Sequence, residues 1–112
     1  MNLKILRLGN FTKEAKKLYK KYKKLPIDLK TLVGRLNDNP KAGINLGANC
    51  YKIRLENSSI PTGKSGGFRI VYYYYDGEEN LYLLSIFSKR DMENISDERV
   101  LELLDKYGLD VI

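Results

Sequence analysis

Histidine is absent from the 112 residues of this chain. Without it no side chain titrates near neutral pH in its ordinary state, so any proton transfer falls to Lys, Arg, Tyr, Asp or Glu. Cysteine occurs once, at Cys50. A single thiol forms no internal disulfide, which fits a reducing compartment. With no histidine beside it, Cys50 builds neither a Cys–His nucleophile nor an ordinary zinc site, and it reads as a small buried residue. No metal and no cofactor are expected. Long apolar runs are missing too. Nothing approaches the roughly 18 residues of a membrane span. The first residues alternate charge with hydrophobe and lack the apolar core of a signal peptide, so the expected location is the cytoplasm.

What is present is basic charge, unevenly spread. The net charge is +6. Residues 1–30 hold ten Lys/Arg against Glu14 and Asp28, whereas residues 76–112 hold ten Asp/Glu against four Lys/Arg. Such asymmetry points to a polyanion or an acidic protein as partner. A length of 112 residues suits one domain, residues 1–112, with one modest core.

Periodicity gives the elements. Residues 2–8 read as a short strand. Phe11, Ala15, Leu18, Tyr19, Tyr22 and Leu25 then form one stripe of an amphipathic helix. Asn10 or Thr12 is placed to cap it, with Glu14 in its first turn, and Pro26 ends it. Its lysines, Lys20 and Lys24 among them, form either a solvated face or a track for RNA phosphates. A second helix is expected over about 27–37, stopped by Asn39-Pro40. Residues 41–49 read as a loop. Strands follow over 50–56, 68–75 and 81–87. A last helix is capped by Ser96, lined by Val100, Leu101, Leu103, Leu104 and Tyr107, and stopped at Gly108. The order β-α-α-β-β-β-α implies an α+β fold: a curved, mostly antiparallel four-stranded sheet with an N-terminal helical hairpin on it and a C-terminal helix.

The stretch from 50 to 75 carries the candidate chemistry. Alternation sets Tyr51, Ile53 and Leu55 on one face, and Cys50, Lys52 and Arg54 on the other. In the next strand Phe68, Ile70, Tyr72 and Tyr74 oppose Arg69, Val71, Tyr73 and Tyr75. Paired as a hairpin, the strands bring Lys52, Arg54 and Arg69 to one open side. Three fixed cations beside tyrosines suit a phosphate and a stacked base. The tyrosine run serves equally as core packing. The loop Gly63-Lys64-Ser65 has the ending of a phosphate-binding P-loop, but Ser58 stands where the first glycine belongs and a strand follows, so it is not one.

Three segments together carry a resemblance: Tyr51-Lys52-Ile53-Arg54-Leu55, then Gly63-Lys64-Ser65-Gly66-Gly67-Phe68-Arg69-Ile70-Val71-Tyr72-Tyr73, then Leu83-Leu84-Ser85-Ile86-Phe87-Ser88-Lys89. In this order of elements they resemble the RelE/HigB toxins of bacterial type II toxin–antitoxin modules. The Lys-Ser-Gly-Gly-aromatic-Arg motif brings the HigB-like branch nearer. The resemblance covers nearly the whole chain. It implies a ribosome-dependent endoribonuclease that cuts mRNA in the A site and is held inactive by a cognate antitoxin, commonly a helix-turn-helix protein. By position, Lys52, Arg54, Arg69 and Lys89 or Arg90 would form the catalytic set, with Lys64, Tyr73, Lys20 and Lys24 contacting RNA. Lys52 is the candidate base, its neutral form favoured by the like charges of Arg54 and Arg69. The arginines are candidate clamps for an anionic transition state, and Lys89 or Arg90 a candidate acid or second clamp. One departure stands out. Asp91-Met92-Glu93-Asn94-Ile95-Ser96 holds no Tyr or His where some relatives carry one. That leaves Asp91, or a stacking Tyr73, to fill the place. Two other classes fit the same fold and charge: a ParE-like toxin that inhibits gyrase without chemistry, and a non-catalytic RNA-binding module.

Overall fold

The computed structural model describes residues 3–61 and 67–109. Strand β1 (Lys4–Arg7) leads to helices α1 (Gly9–Lys21) and α2 (Leu25–Asp38). Strands β2 (Ile44–Gly47), β3 (Cys50–Leu55), β4 (Phe68–Tyr74) and β5 (Asn80–Ser88) follow, and α3 (Asp97–Lys106) comes last. The sheet has five strands in the order β1-β5-β4-β3-β2. β1 runs parallel to β5 and every other pair is antiparallel.

The expected fold class is therefore found, with one strand more than the periodicity suggested. Residues 44–47 form the edge strand β2, not a loop. Its four residues are exposed, so no alternation of apolar and polar residues marks it. Gly47, Ala48 and Asn49 all take positive φ and make the tight turn into β3. Leu25 and Pro26 belong to α2, with proline in its first turn where a missing N–H costs nothing. Leu101 is 50% exposed and leaves the stripe of α3, whereas Ser96 caps that helix as expected by accepting from the Arg99 N–H at 3.1 Å.

Alternation along the strands divides the interior in two. Tyr51, Ile53, Leu55, Phe68, Ile70, Tyr72, Leu81, Leu83 and Ile86 pack beneath Phe11, Tyr22, Leu29, Leu32 and Leu36 of the helical pair. Cys50, Val71, Tyr73, Leu84 and Phe87 pack on the opposite face against Val100, Leu103 and Leu104 of α3. The central strand β5 is thus covered on both sides, which is why it reads as a continuous apolar run.

The edge strands are shorter than the strands they flank: β1 has four residues and β5 has nine. Past Arg7 the edge of β5 needs other partners. The Leu8 N–H donates to the Leu83 carbonyl at 3.2 Å, and Asn10 Nδ2 donates to the Leu84 carbonyl at 2.9 Å. Glu14 Oε1 accepts from the Ile86 N–H at 3.2 Å, Ser85 Oγ at 2.7 Å and Asn10 Nδ2 at 2.9 Å. Asn10, expected as a cap, and Glu14, expected to favour the helix terminus, are instead a side-chain continuation of the sheet. Neither Asn10 nor Thr12 caps α1, whose N-cap position is Leu8 with no side-chain cap bond.

Glu14→Ala should destabilise the fold by about 1–3 kcal/mol, because it strands a buried hydroxyl and a backbone N–H; urea unfolding of the two proteins measures this. Burial pushes the Cys50 thiol up to about 12 from 9.0. In the folded protein Cys50 should therefore resist iodoacetamide at pH 8.5 and react only on unfolding, as followed by mass spectrometry. The raised value also makes the thiol's contribution to stability complete below pH ~9 and lost between ~9 and ~12. Cys50→Ala should flatten that alkaline decline.

Candidate active site

The register of β3, β4 and β5 builds the site. Arg54 sits directly across from Arg69, and Arg69 directly across from Phe87. These three residues form one row over three strands, on the face that carries α3. Lys52 lies opposite Val71, one step along and diagonal to Arg69. Opposed side chains in a sheet stand about 5 Å apart at Cβ and diagonal ones about 7–8 Å. α3 packs on this face around Cys50, Val71, Tyr73, Leu84 and Phe87, and among the described residues the row is open at its Arg54 end. There Arg54 is exposed, and Lys52 and Arg69 are half-buried. The expected convergence of Lys52, Arg54 and Arg69 is what the strands produce.

Hydrogen bonds hold the Arg69 and Lys52 side chains and the Arg54 backbone. Arg69 Nη1 donates to the Phe68 carbonyl at 3.2 Å. Its pKa is lowered, first by burial and then by the neighbouring Arg54, although a guanidinium remains charged. The Arg54 carbonyl lies past the end of β2 and accepts from Arg35 Nη1 of α2 at 2.7 Å. Lys52 Nζ donates to Asn94 Oδ1 at 3.0 Å. Beside the row, Gly67 brings its backbone so near β3 that a Cβ there would meet the Leu55 carbonyl oxygen at 2.8 Å. Glycine at 67 lets the chain enter β4 against β3 and so fixes where Arg69 emerges.

The turn after β5 adds two more cations. Its geometry is set by Ser88, whose carbonyl accepts from the Asp91 and Met92 N–H groups at 3.0 Å each. Ser88 Oγ accepts from the Arg90 N–H at 3.3 Å. The Lys89 N–H reaches the Gly67 carbonyl at 3.1 Å, which ties the turn to the start of β4. Lys89 and Arg90 are exposed at the same end of the sheet as the Arg54–Arg69 row. Among the described residues none of Lys52, Arg54, Arg69, Lys89 and Arg90 forms an ion pair with a carboxylate.

α1 ends at this end too. Tyr22 meets Phe68 edge-on, with ring centroids 5.6 Å apart, and Lys21 pairs with Asp91 at 3.7 Å. Lys20 and Lys24 are exposed on this flank. The loop after β3 is pinned here as well: the carboxylate of Asp28, 4% exposed, accepts from the Ser58 N–H at 3.0 Å and from the Ser58 hydroxyl. Ser59 Oγ accepts from the Lys24 N–H at 2.9 Å, at the start of α2. Lys64 lies outside the described residues.

Tyr73 is a correction. It is 5% exposed, sits in the α3 core beside Tyr82 at 6.1 Å between ring centroids, and offers no open ring to a base. It is also four residues along β4 from Arg69, about 13 Å at the rise of a strand. Asp91 faces Lys21. Three residues beside the cations were not singled out from the sequence: Asn94, Phe87 and Arg35. Alternation gives the face of Phe87, but its place opposite Arg69 depends on the β4–β5 register, which carries a bulge. Asn94 and Arg35 carried no signal, because a turn and a helix bring them in from 42 and 19 residues away.

Two guanidinium groups directly opposed on a sheet repel each other. Arg54→Ala should therefore raise stability by about 0.2–1 kcal/mol at low salt. The gain should shrink at high salt, where screening already relieves the repulsion. Guanidine is itself a salt, so urea unfolding at two ionic strengths is the appropriate measurement.

Comparison with known proteins adds two findings. A family model described as the RelE toxin of the RelE/RelB toxin–antitoxin system matches residues 3–108. Among solved structures, the free state of a double arginine-to-alanine mutant of E. coli toxin RelE is similar, with a TM-score of 0.57 and 22% identity over 83% of this chain and 90% of that one. At that identity the structural likeness speaks for the fold. No helix among the described residues is long and apolar enough to cross a membrane.

Proposed function

This chain belongs to the RelE toxin family, and we propose that it acts as a ribosome-dependent endoribonuclease that cuts mRNA in the A site. The observation that carries the reading is the opposed Arg54–Arg69 pair with Lys52 diagonal to it, uncovered and without carboxylate partners among the described residues. Such a pair costs the free protein stability, and a bound phosphodiester removes that cost by neutralising both charges.

The chemistry follows from what RNA supplies. Lys52 Nζ, in its neutral form, takes the proton of the 2′-hydroxyl. The 2′-oxygen attacks the adjacent phosphorus, and the P–O5′ bond breaks. Arg54 and Arg69 hold the non-bridging oxygens as negative charge builds on them. Lys89 or Arg90 supplies a proton to the leaving 5′-oxygen or a further positive charge beside it. The products are a 2′,3′-cyclic phosphate and a 5′-hydroxyl. Positioning by the ribosome supplies much of the acceleration. Lys20, Lys24 and Lys64 serve phosphate contacts away from the cut, which raise affinity without reading sequence.

The proposed partner is a cognate antitoxin, of the helix-turn-helix kind, bringing acidic groups to the basic first helices. Such a complex should weaken as salt rises.

The deciding experiment is expression of this chain alone in a bacterium, beside Arg69→Ala, with 5′ ends mapped on translated and untranslated copies of one message. Growth arrest and new ends only on the translated copy, with a loss of at least about a hundredfold in the variant, is the expected result. Arrest without new RNA ends would replace the nuclease by a toxin that binds its target without chemistry. Cleavage of both copies alike would remove the ribosome from the reading.

A further inference from the structure

The turn between β5 and α3 holds no tyrosine or histidine, which some members of the resembled family carry there, yet it is not idle. It lays Asn94 against Lys52. Asn94 Oδ1 accepts two hydrogen bonds, from Lys52 Nζ at 3.0 Å and from its neighbour's backbone, the Ile95 N–H, at 2.9 Å. The second bond settles the orientation of the amide. An N–H needs an acceptor, so the oxygen and not the NH₂ must turn toward Ile95 and hence toward Lys52. One residue on, Ser96 caps α3 through the Arg99 N–H at 3.1 Å. The Asn94 carbonyl is thus fixed at the mouth of a helix that is itself packed on the sheet through Val100, Leu103 and Leu104.

We infer that Asn94 is the positioning residue for Lys52: it fixes the lysine nitrogen so that its lone pair faces the ribose hydroxyl. This rests on the assignment of Lys52 as the base and goes beyond it by saying how a flexible lysine is made to act as one. A lysine stem has four rotatable bonds, and on an open sheet face it samples many rotamers. A neutral amine has two N–H bonds and one lone pair. Donating one N–H to a fixed carbonyl restricts where the lone pair points. The acceptor is also uncharged, which is the useful choice here. A carboxylate in the same place would hold Lys52 as an ammonium and leave no lone pair to accept the proton. Asp91 is engaged by Lys21 at 3.7 Å, and among the described residues no carboxylate pairs with Lys52.

The test uses the whole toxin with programmed, translating ribosomes and reads single-turnover cleavage across pH. Asn94→Ala, at an exposed position, should keep the wild-type melting temperature. It should lower the cleavage rate at saturating toxin by about tenfold or more, with half-saturation unchanged, because orientation and not binding is lost. Asn94→Asp keeps the shape and the acceptor but adds charge. Its rising pH–rate limb should move about one unit or more to higher pH, so that activity is depressed at neutral pH and recovers in alkaline solution. A purely structural role for Asn94 would not move that limb. Wild-type rates in Asn94→Ala, or an unmoved limb in Asn94→Asp, would overturn the inference while Lys52→Ala remains inactive. Full cleavage by Lys52→Ala would instead overturn the base assignment, and the inference with it.

Discussion

A sheet whose inner strands outrun its edges must find hydrogen-bond partners for the backbone left over, and this constraint shapes the whole molecule. β1 and β2 have four residues each, against nine in β5 and seven in β4. An unpaired backbone group that is shut away from water costs about as much as a lost hydrogen bond. The helices resolve this with side chains. On one side Asn10 and Glu14 of α1 take over where β1 stops, reaching Leu84, Ser85 and Ile86. On the other side Arg35 of α2 reaches the Arg54 carbonyl past the end of β2. The helices are therefore not merely laid on an apolar face. They are locked in register with the strands, since a shift of one residue would break these bonds as well as the packing.

The same arrangement leaves one end of one face open. α3 seals the region around Cys50, Tyr73 and Leu84, while the helical pair seals the opposite face. What remains open among the described residues is the end where β3 and β4 set Arg54 opposite Arg69, beside the buried Phe87 of β5. Positive charge collects there from several directions: from the strands, from the turn after β5, and from the end of α1, whose Lys21 holds the turn through Asp91. A rigid sheet is a good carrier for such a group. Neighbouring strands fix the spacing of the charges against their mutual repulsion, so the arrangement is set by the fold itself. Beside the row, Lys52 Nζ and the Ile95 N–H both donate to the Asn94 amide oxygen.

Much of this could be read from the chain. The alternation in Cys50–Leu55 and Phe68–Tyr74 assigns each residue to a face, because a strand has only two and a slip of one would bury three cations. The convergence of Lys52, Arg54 and Arg69 follows from that once the two strands pair as a hairpin. Most of the stripes of α1 and α3 follow from their 3.6-residue period, Tyr19 and Leu101 being exposed and Leu25 belonging to α2, and the cap at Ser96 follows from its residue type. The strand β2 escaped because it is exposed on both faces, and exposure erases the alternation that marks a strand. Tyr73 was misplaced for a related reason. Alternation gives the correct face, but it does not say how far along that face the last helix extends.

Local periodicity and chemical type thus determined the class of fold, the faces of the strands, the buried thiol and the cationic character of the site. They act between residues a few positions apart, where the geometry of helix and strand is fixed by the backbone. Only the tertiary structure decided that Glu14 would complete a strand instead of favouring a helix terminus. It alone decided that Tyr73 would lie under α3, and that Asn94 would meet Lys52 across 42 residues of sequence. Those outcomes depend on which backbone groups the assembled sheet leaves without partners and on where the last helix comes to rest. Neither is a property of any single segment.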